Sequence, residues 1–119
     1  MIYGLLAALD VVVSEGLDNV HARHREVHAQ LVAGLEQRGL RMLVDADCRL
    51  PMLNAVCIPG SVDNEAEVRS KLLNEHQIEI GAGLGPLAGK IWRVGLMGHT
   101  ARAENVERLL AAFDAELPG

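Results

Sequence analysis

The stretch "GAGLGPLAGKIWRVGLMGH", residues 81 to 99, places six glycines, a proline, a lysine and an arginine in one short run. Two phosphate-binding templates lie near it. A Walker loop requires four residues between its first glycine and the Gly-Lys pair, followed by a hydroxyl for magnesium. Gly89-Lys90 follows Gly85 too closely and Gly83 too distantly, and Ile91 stands where the hydroxyl belongs. The looser dinucleotide fingerprint does match, as Gly83-x-Gly85-x-x-Ala88. That fingerprint works only where a helix begins, because the helix N-terminus receives the pyrophosphate. The chain instead continues as Lys90-Ile91-Trp92-Arg93-Val94-Gly95-Leu96-Met97, a β-branched and aromatic segment that reads as a strand. The loop feeds a strand, and the residue it delivers is Arg93.

Charged residues seldom lie inside such strand patterns unless they are paired. A guanidinium on a rigid strand offers parallel N–H donors that match a carboxylate. From the residues alone, three placements of Arg93 stay open. It binds a ligand's carboxylate, pairs with an acid of the chain such as Glu79, or faces solvent.

Working outward, the chain of 119 residues suffices for one domain with a modest core. Half of it is hydrophobic, yet Tyr3, Trp92 and Phe113 are the only aromatics, so Leu, Val, Ile and Ala must fill that core. A net charge of -5 argues against a nucleic-acid or anionic-membrane surface. The apolar start "MIYGLLAALDVVV" lacks a basic leader, is interrupted by Asp10 and has no small-residue cleavage pattern. No run reaches the ~20 apolar residues of a membrane span. Cys48 and Cys57 show no zinc spacing, so a soluble, cytoplasmic protein with reduced thiols is expected.

Residues 2 to 13 favour helix. Beyond Gly16, the residues Leu17, Val20, His24, Val27, Leu31 and Leu35 recur on one helical face until Arg38-Gly39 ends it. Strands are expected at 40–44, 54–58, 78–80 and 92–97. Asp63 should cap a helix over 64–75 with Val68, Leu72 and Leu73 inward, and a last helix opens at Thr100 or Ala101 and buries Val106, Leu109, Leu110 and Phe113. The resulting class is α+β: a helical lead-in over 1–38, then a small sheet with helices on one face over 40–119.

Other chemistry finds little support. His21, His24 and His28 share a helix, but Arg23 and Arg25 would repel a metal cation, and a solvated face of mixed charge is expected there. No metal site is expected. His76 should meet a helix dipole. Cys48 follows acids that would raise its thiol pKa. Lys71 and Lys90, the only lysines, sit in no apolar run that would lower their pKa.

The segments "RLPMLNAVCIP", "IEIGAGLGPLAGKIWRVGLMGH" and "TARAENVERLL", in this order, resemble the C-terminal small domain of class V aminotransferases, nearest to the alanine–glyoxylate and serine–glyoxylate group. "GLDNVHARHREVHAQLVAGLEQRGLRMLV" fits the helix leading into that domain. The resemblance implies a fold-type I small domain, here residues 1–119. It implies that Arg93 binds the α-carboxylate of an amino-acid or 2-oxoacid substrate, with Gly81, Gly83 and Gly85 shaping the loop beside it. It implies pyridoxal 5'-phosphate (PLP) in a homodimeric parent that transfers an amino group from alanine or serine to glyoxylate or a similar oxoacid. Neither Lys71 nor Lys90 matches the Schiff-base lysine, so no catalytic residue and no bound cofactor is expected in this chain alone. Met1 then reads as an internal methionine of a longer parent. Two alternatives remain: a stand-alone, non-catalytic interaction module with an apolar face near Ile2, Leu5, Leu6 and Leu9, and the small domain of a class V lyase or hydrolase.

Overall fold

A computed structural model describes residues 1–117. It contains four α-helices and a three-stranded antiparallel sheet. α1 spans Ile2–Glu15 and α2 spans Leu17–Gln37, separated by Gly16 at φ 84°, a conformation that favours glycine. The amphipathic period of α2 buries Val27, Leu31 and Leu35, and Gly39 at φ 73° ends the element as the sequence anticipates. Leu17 stays exposed; His24, a member of that apolar period, is buried at 8% exposure, against the solvated face expected for the three histidines. α1 buries no residue; Ile2, Leu5, Leu6 and Leu9 all face solvent. No helix among the described residues is long and apolar enough to cross a membrane.

The central strand β3, Ile91–Gly95, pairs antiparallel with β1, Leu53–Cys57, on one side and with the two-residue β2, Gly81–Ala82, on the other. Alternation along β3 sends Trp92 and Val94 into the core with Val56, while Arg93 takes the opposite face. Two expected strands do not form. Residues 40–44 reach the sheet only through a bridge between Met42 and Val56, and residues 78–80 have no ladder partner although Ile80 is buried. Gln77 in the left-handed region at φ 56° turns the chain so that Ile78 and Ile80 insert side chains into the core instead of pairing backbones.

α3, Glu65–His76, is capped by Asn64, not Asp63: the Asn64 side chain accepts the Glu67 N–H at 3.3 Å. Val68 and Leu72 point inward, whereas Leu73, expected there, is exposed. α4, Ala103–Glu116, starts two or three residues later than expected, after a 3₁₀ turn at Gly98–Thr100, and buries Val106, Leu109 and Phe113 with Leu110 at the core's edge. A Cβ at Gly34 would overlap Leu110, so the glycine sets how closely α2 and α4 approach. Arg38 clamps their ends with two bonds to Asp114, at 2.7 and 2.6 Å. Trp92, fully buried, stacks on Phe113 at 5.6 Å and donates its indole N–H to Glu65 at 3.2 Å. The helices thus cover one sheet face and leave Arg93 on the other.

Candidate functional site

Arg93 lies at the middle of β3, flanked in register by Ala55 and Gly81. Its Nε–H donates to the Ala82 carbonyl at 2.7 Å, which lays the guanidinium across β2. Gly81 permits this, because a Cβ there would stand 3.2 Å from Nη2 and 3.3 Å from Nε. Gly83 is tighter still: its Cβ would overlap the Leu87 carbonyl oxygen. Gly85 turns the loop at φ 53° into a 3₁₀ turn over Gly85–Leu87. Each of the three glycines has a steric reason in the path that brings the loop to the arginine.

The guanidinium borders a cavity of about 330 Å³ on the open sheet face. Met42, Leu50, Leu53, Leu87 and Ile91 give it an apolar wall, and among the described residues Arg49 is the only other charged one lining it. Arg49 is engaged, donating to the Val44 carbonyl at 2.8 Å and pairing with Glu36 at 3.6 Å. Arg93 is not: among the described residues no carboxylate lies within ion-pair reach of it. Glu79, the acid that could have neutralised it, lines a separate cavity of about 220 Å³ between α2, α4 and residues 77–80. A half-buried cation whose two Nη groups meet no partner among the described residues can bind a carboxylate in apolar surroundings, two N–H donors to two oxygens.

The remaining candidates do not gather around Arg93. Lys71 lies on α3 against Glu67 and Glu116, at 3.5 and 3.7 Å, and neither it nor Lys90 lines the Arg93 cavity. His21 is exposed and His24 and His28 are drawn into the core side of α2. Burial pushes the His28 imidazole below its ordinary pKa. Among the described residues, one trio of metal-type ligands converges, Glu75, His76 and Glu116. There Lys71 already supplies a cation, and His76 bonds Glu116 at 2.9 Å, which with Lys71 holds the Glu116 carboxyl below the usual range. His76 therefore meets a side chain of α4 in addition to its own helix end. Cys48 lines the Arg93 cavity at an exposed position, and Cys57 is half-buried on β1.

Two residues with no sequence signal for their role are Arg23 and His24. Arg23 joins Glu15 on α1 to the carbonyls of Gly98 and Ala101, and His24 accepts the Gly98 N–H. Their partners in residues 98–101 lie more than seventy positions away, beyond any local pattern.

No family model matches the chain. It is similar to the (S)-ureidoglycine–glyoxylate transaminase of Bacillus subtilis, with 45% identity over 117 residues that cover 98% of this chain and 28% of the relative. The alanine–glyoxylate aminotransferase of Mus musculus is 38% identical over 113 residues, 94% of this chain and 27% of that one. Among solved structures, an alanine–glyoxylate aminotransferase from Nostoc sp. superposes with a TM-score of 0.91 at 49% identity, covering 95% of this chain and 30% of the other. The chain thus spans less than a third of the length of the relatives it matches. In sequence and in fold alike, the chain belongs with the C-terminal portion of the class V aminotransferases.

Proposed function

We propose that this chain acts as the substrate-carboxylate-binding small domain of a PLP-dependent aminotransferase. Arg93 holds the α-carboxylate of an amino acid, alanine or serine, and then of glyoxylate or a similar 2-oxoacid. The observation that carries this assignment is a guanidinium fixed through Nε beside an apolar cavity, with no carboxylate and no Nη partner among the described residues. Gly81, Gly83 and Gly85 shape the loop that keeps it there.

PLP supplies an electron sink for the carbanion formed at the substrate's α-carbon, and it needs a lysine amine and an acid at its ring nitrogen. Neither lysine of this chain lines the Arg93 cavity, and among the described residues no Asp or Glu does. These residues do not make a cofactor site by themselves. The reaction centre belongs to polypeptide outside them, in a homodimeric, cytoplasmic parent. The chain's own contribution is to bind and orient: two parallel N–H donors set the carboxylate plane and so the direction of the α-carbon's remaining bonds. The two relatives and the solved structure reported above bear the names of amino-group transfers to glyoxylate, which favours this chemistry over a lyase or hydrolase.

In the full-length polypeptide, Arg93→Ala should raise KM for amino donor and oxoacid alike by roughly 30- to 1,000-fold, the equivalent of about 2–4 kcal/mol for an unpaired buried charge. The visible spectrum of bound PLP should stay unchanged. An unaltered KM removes Arg93 from the carboxylate site.

A second reading, a module that works by association, draws on α1. That helix exposes Ile2, Leu5, Leu6 and Leu9 at 80, 61, 55 and 51%. An apolar surface of this kind suits burial against another protein surface.

A further inference from the structure

The strand that carries Arg93 ends at Gly95, and the chain then turns through residues 97–101 into α4. Gly98 occupies the left-handed region at φ 59° in this turn. Leu96 still holds the ladder, its N–H donating to the Met52 carbonyl at 2.9 Å. Beyond it the turn is gripped from α2 by two adjacent side chains. Arg23 Nη1 donates to the Gly98 carbonyl at 3.0 Å and the Ala101 carbonyl at 2.8 Å. Its Nε and Nη2 hold both oxygens of Glu15, at the last position of α1. His24 Nε2 accepts the Gly98 N–H at 3.0 Å.

That last bond assigns the His24 tautomer. A neutral imidazole has one N–H and one bare nitrogen. Since Nε2 accepts, the ring proton lies on Nδ1, which donates to the Val20 carbonyl at 2.7 Å. A second proton would sit on Nε2 and confront the Gly98 N–H, donor against donor, in a ring 8% exposed. The Arg23 contacts, by contrast, keep their charge at every physiological pH.

We propose that Arg23 and His24 form a latch on the turn that follows the Arg93 strand, with Arg23 as its constant half and His24 as its proton-sensitive half. Protonating His24 turns the acceptor of the Gly98 N–H into a donor and releases that side of the turn. Through Glu15 the same latch ties the joint between α1 and α2 to the end of β3. The charged and titratable groups around His24 are Glu15 from α1, whose carboxyl also feels Arg23 and, from the turn before α4, Arg102, and on α2 itself Arg23 with His21 and His28 one turn to either side. Release frees the end of the β1–β3 ladder two residues beyond Arg93, at the Leu53 and Gly95 pair.

The test is nuclear magnetic resonance on the ¹⁵N-labelled chain. At neutral pH the His24 ring should show a protonated Nδ1 and a bare Nε2. Lowering the pH through the His24 titration should cut the protection factor of the Gly98 amide roughly tenfold, the scale of one neutral hydrogen bond. Leu96 should follow with the same midpoint, while Leu31, deep in α2, should not. His24→Gln supplies a side-chain oxygen that accepts at every pH, so the Gly98 step should vanish. If that variant does not fold, the wild-type tautomer and co-titration decide alone. A protonated Nε2 in the neutral ring, a Gly98 amide indifferent to His24, or a step that persists in His24→Gln overturns the latch. No substrate enters these readouts, so their failure would leave the assignment of Arg93 standing.

Discussion

Replacing Gly83 with alanine should damage the fold more than the same change at any other glycine of the loop. A methyl group at Gly83 would overlap the Leu87 carbonyl oxygen, stand 2.7 Å from its carbon and 3.0 Å from Ile91 Cγ1. The first two are backbone atoms that no rotamer change can move. Relief requires shifting the Gly85–Leu87 turn away from β3, which strains the Gly83 N–H bond to the Ile91 carbonyl, now 3.0 Å. Overpacking costs about 1–3 kcal/mol and the weakened bond ~1 more, so Gly83→Ala should lose about 2–4 kcal/mol. Gly89→Ala is the matched control. Nothing lies within 4 Å of its missing Cβ, and its φ of 71° costs an alanine about 1–2 kcal/mol. Gly81→Ala meets only the side chain of Arg93, at 3.2 to 3.4 Å, and should cost less than ~1 kcal/mol while tilting the guanidinium. Urea unfolding followed by the fluorescence of Trp92, the sole tryptophan, measures all three. If Gly83→Ala proves no more costly than Gly89→Ala, close backbone approach is not the reason for glycine there.

Stability should decline in two stages on acidification. His28, held below its ordinary value by burial, is neutral in the fold, so the unfolded chain binds the proton more readily. Its contribution is present above about pH 6.5 and falls as the pH drops below that. The carboxyls of Glu15, Glu65, Asp114 and Glu116 are lowered by Arg23, Arg69, Arg38 and His76 respectively. Their contributions are present above the ordinary carboxylate range and are lost below about pH 4.5. Thermal unfolding across pH 3 to 8 would show both stages; a flat profile from 7 to 5 contradicts the placement of His28. In sedimentation, the exposed apolar residues of α1 predict association that rises with concentration, and a monomer at every concentration would remove the need for a covering surface.

How far the residues alone could lead depended on whether a feature is local. The α1–α2 pair, its break at Gly16 and its end at Gly39 follow from helical period and glycine conformation, both short-range. β1 and β3 were readable because each carries its own β-branched run. Residues 40–44 and 78–80 have similar apolar content, but the first gains only the Met42–Val56 bridge beside β1 and the second only inserts side chains into the core, and neither outcome is written in the run itself. The cap moved from Asp63 to Asn64 because either residue can accept an N–H, and only the loop's path selects one. His24 belongs to the apolar period of α2, yet its neighbours Arg23 and Arg25 suggested a solvated face. Its partner, the Gly98 amide, is invisible at helical spacing. Arg93 was legible as an anomaly, a charge within a strand; that no acid among the described residues meets it is a property of the folded chain.

The most direct test of Arg93 as a carboxylate anchor is to titrate the ¹⁵N-labelled chain with pyruvate while following the Arg93 Nε–H resonance. A single bidentate pair at a part-exposed site binds weakly, so the response should saturate only at roughly millimolar pyruvate or above. Methyl pyruvate, which keeps the oxo group and loses the charge, should leave the resonance in place. A saturable shift of Arg93 with the acid and none with the ester is the predicted result. Equal responses to both, or an Arg93 resonance that neither compound moves, would contradict the carboxylate site.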